Sequence, residues 1–124
     1  MQYLDGRPLD RLAEKPEIDE MWRWSRQLIS ALYMCHEKAK VIHRDIKPEN
    51  LKVTGREKNI VLFDFGISTN FEGDNDLVTD TIGTYSFMAP EIMQARGKGP
   101  KIVHGRKTDI WAAGVTLFVI AAGH

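Results

Sequence analysis

Asp45, Asn50 and Asp64 are the oxygen-bearing side chains whose type and spacing could do chemistry. Asp45 and Asn50 belong to the run His43-Arg44-Asp45-Ile46-Lys47-Pro48-Glu49-Asn50, and Asp64 is followed by Phe65-Gly66. Hard oxygen donors in that number suit Mg²⁺, which keeps several waters and shares phosphate oxygens. Lys47 adds a compact positive charge on the same stretch. A pair of Mg²⁺ ligands, a spare carboxylate and a lysine are the parts needed to move a phosphoryl group. They would neutralise charge on the transferred group and orient the attacking hydroxyl. The donors converge only if the chain between Asn50 and Asp64 folds back.

The elements that must position them follow from pattern. Two short apolar runs, Leu51 to Thr54 and Ile60 to Phe63, flank the polar turn Gly55 to Asn59, which predicts a hairpin. Upstream, Ile18, Met21, Trp22, Leu28, Ile29, Leu32, Cys35 and Ala39 are spaced to share one side of a helix over 17–40. Acidic residues at its front and Lys38 and Lys40 at its back suit the helix dipole. Trp22 and Trp24 lie two apart, so one belongs to the core and the other to the surface. Cys35, next to His36, reads as a small buried hydrophobe rather than half of a metal site. Met1 to Pro8 reads as an extended segment entering a turn, and 64–88 shows no sustained period. Ala89 to Ala95 reads as a short helix, and Arg96 to Lys107 as a basic solvated loop. Thr108 is placed as the N-cap of an apolar helix over 109–122, with Gly123 as its stop.

Composition bounds the alternatives. The chain has 124 residues, 43% of them hydrophobic, with 17 Lys plus Arg balanced by 17 Asp plus Glu. That argues against a globally basic nucleic-acid binder and against a disordered acidic segment. A single cysteine excludes an internal disulfide framework and leans towards a reducing, cytoplasmic setting. No secretory signal is legible, and the longest nearly apolar run, Ala112 to Gly123, is too short to span a bilayer.

HRDIKPEN (43–50), DFG (64–66) and APE (89–91), in that order, resemble the catalytic loop, the metal-binding triplet and the activation-segment end of eukaryotic Ser/Thr protein kinases. Asp109-Ile110-Trp111 with Gly114 resembles the start of that family's central helix. The resemblance implies an α+β, mainly α fold: the large C-terminal lobe of a kinase domain with a short β-hairpin, the small lobe absent. Residues 1–124 would form one partial domain. It would run from a hinge (1–8) through a long helix (17–40), catalytic loop (43–50) and activation segment (64–91) to a buried helix (108–123).

By the same resemblance Asp45 orients the substrate hydroxyl and takes its proton. Asn50 and Asp64 hold Mg²⁺, Lys47 touches the γ-phosphate of ATP, and Thr84 steadies Asp45 and Lys47. Backbone near Gln2 and Leu4, together with Lys52, would border adenine, and His43 would pack on Phe65. Arg44 would face the activation segment, where Asp80 stands at the usual phosphate position between the phosphorylation candidates Thr79 and Thr81. Asp109 would brace the catalytic-loop backbone. The stretches 71–91 and 104–118 look most like calcium/calmodulin-dependent protein kinase kinases. That likeness implies a protein substrate such as another kinase, and calmodulin as a partner of a full-length protein, with no calmodulin-binding segment encoded here. The second reading is a truncated, catalytically inactive kinase-like binding module.

Three positions depart from the family pattern. Lys52 stands where an apolar residue usually underlies adenine, Phe63 is bulkier than usual before the triplet, and Tyr85 replaces a common proline. A Gly-rich phosphate loop and its strand lysine are not among these residues. The 124-residue chain by itself is therefore expected to bind ATP weakly and to expose apolar surface. Calorimetric titration of ATP with Mg²⁺ checks this, and micromolar affinity would refute it.

Overall fold

A computed structural model describes residues 6–12, 14–56, 58–78, 87–91 and 102–123. In chain order the elements are β1 (Arg7–Pro8), α1 (Ile18–Tyr33), β2 (Val41–Ile42), β3 (Leu51–Thr54), β4 (Asn59–Leu62), β5 (Thr69–Asn70), β6 (Leu77–Val78), β7 (Val103–His104) and α2 (Gly105–Ala122). The strands make three small antiparallel sheets, β1-β3-β4, β2-β5 and β6-β7. Short 3₁₀ turns cover Leu9–Arg11 and Pro48–Asn50.

α1 begins where the acidic cluster predicts. Glu17 and Glu20 form a reciprocal capping box that satisfies amides at the helix start. The helix does not stop at Tyr33 but widens into a π turn, Met34–Lys38, closed by Ala39 N–H donating to the Met34 carbonyl at 2.9 Å. The buried stripe differs from the one expected. Trp24, Leu28, Leu32 and His36 are buried at strict spacings of four, whereas Ile18, Trp22 and Ile29 are exposed. The expected stripe mixed two faces, and a strict i, i+4 row selects the other tryptophan. Trp24 is the core residue of the pair, and Cys35 is only half-buried.

The expected hairpin forms, with β4 one residue earlier than the apolar run suggests, in the register Leu51↔Leu62 to Thr54↔Asn59. Polar staples fix it to α1. Trp24 Nε1 donates to the Lys58 carbonyl at 2.7 Å, and the Gln27 amide bonds both the Asn59 side chain and the Ile60 amide. Arg7 and Pro8 do not turn away as expected. They pair with Val53 and Lys52 as an edge strand, a position where the missing proline N–H costs nothing.

α2 starts at Gly105, three residues before the expected cap. His104 occupies the N-cap position without capping the helix through its own side chain, and Thr108 lies inside the helix, its hydroxyl donating back to the Gly105 carbonyl at 2.6 Å. Gly123 ends the helix as expected, at φ +79°, a left-handed conformation natural to glycine. Only one side of α2 is buried, through Ala112, Ala113, Thr116 and Ile120, while Ile110, Trp111 and Phe118 are exposed. Among the described residues no helix is long and apolar enough to cross a membrane.

One main core gathers Trp24, Leu28 and Leu32 of α1, Ile46, Leu51, Leu62, and Ala112, Ala113 and Ile120 of α2. Leu28 is 1% exposed in its centre. Leu28→Ala is expected to lower the unfolding free energy by about 2–5 kcal/mol, measured by urea denaturation.

Candidate active site

The stretch 43–50 runs between β2 and β3 and is held from below by α2. Asp109, 1% exposed, accepts the backbone N–H of His43 on Oδ2 at 2.9 Å and that of Arg44 on Oδ1 at 3.0 Å. His36 Nε2 meets the same carboxylate at 2.8 Å. Two turns further on, Thr116 donates to the Ala112 carbonyl at 2.7 Å and reaches the Ile46 carbonyl at 3.4 Å. Asp109 thus braces the loop rather than capping the helix.

His43 is fully buried. Its Nδ1 accepts the Asp45 amide at 3.1 Å, so Nε2 carries the hydrogen and donates to the Phe63 carbonyl at 2.9 Å. Its ring meets Phe65 edge-on at 4.7 Å. His43 is packing and scaffolding, as expected, and both its nitrogens are engaged.

The Asn50 side chain is buried and its amide nitrogen is spent on Asp45. It donates to the Asp45 carbonyl at 2.7 Å and to Asp45 Oδ2 at 3.3 Å. That fixes the amide orientation and leaves Oδ1 as its acceptor end. Lys47 Nζ stands 3.6 Å from Asp45 Oδ2, with both side chains only partly covered. Asp45, Lys47 and Asn50 therefore form one cluster.

Asp64 arrives from the hairpin. Phe63 N–H donates to the Asn50 carbonyl at 3.0 Å, extending the β3–β4 ladder beyond Leu51↔Leu62 and setting Asp64 at the same end of the hairpin as Asn50. Asp64 is exposed, adopts φ +59°, and accepts the Gly66 amide at 3.3 Å on Oδ1. Among the described residues no group of three or more His, Cys, Asp or Glu could hold a metal. A donor set of one amide oxygen and one exposed carboxylate suits an ion that keeps waters and takes phosphate oxygens, which is the chemistry of Mg²⁺.

Arg44 has φ +73°, and its Nε donates to the Ile67 carbonyl at 2.7 Å, tying the loop to the chain after Asp64. Lys52 Nζ lies 4.6 Å over the Phe63 ring, so two of the departures noted in the sequence meet face to face. Gln2, Leu4, Thr79, Asp80, Thr81, Thr84 and Tyr85 lie outside the described residues.

Sequence reasoning missed three supporting groups: His36, Thr116 and Asp76. His36 carries a legible signal, because it continues the Trp24–Leu28–Leu32 row, where a histidine must find a buried partner. Next to it, burial pushes the Cys35 thiol pKa up, and the Asp109 charge adds to the effect.

The model of the protein kinase domain matches residues 1–124. This chain belongs to the protein kinase family. It is 38% identical over 128 residues to CBL-interacting serine/threonine-protein kinase 10 of Arabidopsis thaliana, covering all of this chain and 25% of that protein. It is 41% identical over 130 residues to CBL-interacting protein kinase 30 of Oryza sativa subsp. japonica, covering all of this chain and 26% of that protein. The chain thus spans about a quarter of the length of the curated relatives it matches. These relatives carry the Ser/Thr kinase resemblance but not the narrower likeness to calcium/calmodulin-dependent protein kinase kinases, which is set aside with its calmodulin partner. Overall similarity outweighs the two local stretches on which that likeness rested.

Asp109→Asn leaves a neutral group where three donors meet. It is expected to cost about 1.5–3 kcal/mol for each charge-assisted bond lost. The check is faster amide exchange at His43 and Arg44 by NMR.

Proposed function

We propose that this chain carries the catalytic loop and metal-binding triplet of an ATP- and Mg²⁺-dependent protein serine/threonine kinase. The observation that carries this reading is the Asp45–Lys47–Asn50 cluster, braced on Asp109, with Asp64 at the same end of the hairpin.

Each residue has a task its setting permits. Asp45 aims the substrate hydroxyl and accepts its proton on the carboxylate. Lys47 offers its ammonium to the transferred phosphate. Asn50 Oδ1 and the Asp64 carboxylate would hold Mg²⁺, which supplies charge neutralisation for the triphosphate. Lys52 and Phe63 border the adenine side, where the lysine stem covers apolar surface while its ammonium rests on the ring. By the same reading, backbone at Gln2 and Leu4 would border adenine, Thr84 would steady Asp45 and Lys47, and Arg44 would serve the activation segment that carries Thr79, Asp80 and Thr81. The substrate is a protein Ser or Thr. For a further protein partner the relatives' names offer CBL.

Radiolabelled phosphate transfer by the full-length product tests the reading. Asp45→Ala is expected to lower kcat by about 10²–10⁴-fold while the fold is kept. Equal transfer by the variant, or none by the folded wild-type protein, would refute it.

A further inference from the structure

Among the described residues Asp76 is the other deeply buried carboxylate beside Asp109, 2% exposed. Its Oδ2 accepts both the backbone N–H and the Nε–H of Arg106, each at 3.0 Å, and its Oδ1 meets His104 Nδ1 at 3.0 Å. Its carbonyl accepts the Gly105 amide at 2.9 Å. Asp76 thereby caps the start of α2 from another part of the chain, where His104 supplies no cap of its own. Gly105 permits the approach, since a Cβ there would collide with the Ile42 side chain and stand 3.1 Å from the Asp76 carbonyl.

Arg106 spreads the attachment. Its guanidinium reaches Glu37 of the π turn at 3.3 Å and the Asp74 carbonyl at 3.3 Å, and lies 5.2 Å from the Phe71 ring. The β6–β7 pairing, Leu77↔His104 and Val78↔Val103, follows directly from this junction. Arg106 and Asp109 are three apart on α2, and Asp109 holds the backbone of His43 and Arg44. The neighbours Glu37 and His36 brace that same pair.

We propose that Asp76 is a positioning residue: with Arg106 it latches the first half of the activation segment to the helix that also holds the catalytic loop. The role rests on the kinase reading above. The described part of that segment, up to Val78, then keeps its place through a built-in carboxylate–guanidinium pair. The latch stays charged near neutrality. Burial opposes ionisation of Asp76, but the bonds from His104 and Arg106 outweigh it and hold the carboxyl well below the usual aspartate range. A depressed carboxyl contributes fully above the ordinary value of about 3.9 and is lost only as pH falls through its lower folded value. Among the described residues the other ionisable groups facing the pair are His104, Glu37 and Asp74.

Two measurements test the latch on Asp76→Asn, with Arg106→Gln as the second variant should the first fold poorly. In hydrogen exchange on the wild-type chain and the variant, amides of 69–78 are expected to exchange about tenfold faster or more in the variant, while α1 keeps its protection. In phosphate transfer by the full-length product, KM for the protein substrate is expected to rise by a similar factor, about tenfold, with KM for ATP and kcat little changed. Unchanged exchange in 69–78 overturns the latch. Faster exchange with an unchanged substrate KM overturns the positioning role. Absence of transfer by the wild-type protein overturns the kinase reading, while exchange still decides the latch.

Discussion

The Asp109 carboxylate is the interaction on which the geometry of the candidate site depends. Two consecutive backbone amides, those of His43 and Arg44, point at one side chain, and that requires Arg44 to adopt φ +73°. A left-handed conformation costs a non-glycine residue about 1–2 kcal/mol. Each charge-assisted bond returns about 1.5–3 kcal/mol, so the balance favours the bent loop. The bend turns His43 inward onto Phe63 and Phe65, and it sets Asp45 where Asn50 and Lys47 reach it.

The second half of the site is positioned by register rather than by a bent loop. Asn50 immediately precedes β3 and Asp64 closely follows β4, so the hairpin alignment alone fixes their separation along the sheet. A one-residue slip would turn every side chain of one strand to the other face. The polar staples from Trp24 and Gln27 of α1 to Lys58, Asn59 and Ile60 pin the alignment from the turn end. The same helix thus contributes core packing through Trp24, Leu28 and Leu32 and register control through polar atoms between them.

Much of this was legible in the residues. The hairpin followed from its apolar runs, the helix start from its acids, the Gly123 stop from glycine's freedom, and the buried role of His43 from its family resemblance. What escaped has a common cause. The helix start at Gly105 depends on Asp76, 29 positions earlier, which no local window contains. The buried row of α1 ends at His36 because Asp109 stands opposite, so a polar residue belongs to a stripe that hydrophobicity alone assigns elsewhere. Long-range polar bonds overrode local pattern in both places.

Both misreadings meet at the beginning of α2, which takes two buried carboxylates in a chain whose formal charge is zero. An isolated buried carboxylate is strongly disfavoured unless paired and hydrogen-bonded. Asp76 lies at the helix end, where unsatisfied amides carry partial positive charge, and Arg106 and His104 complete its shell. Asp109 sits one turn further in, beyond most of that field, and is satisfied instead by loop amides and His36. Each charge is thus compensated by donors from a different segment. The cost of burying two carboxylates becomes the means by which the stretch at His43 and Arg44, the π turn after α1 and the stretch at Asp74 to Asp76 are fastened to one helix.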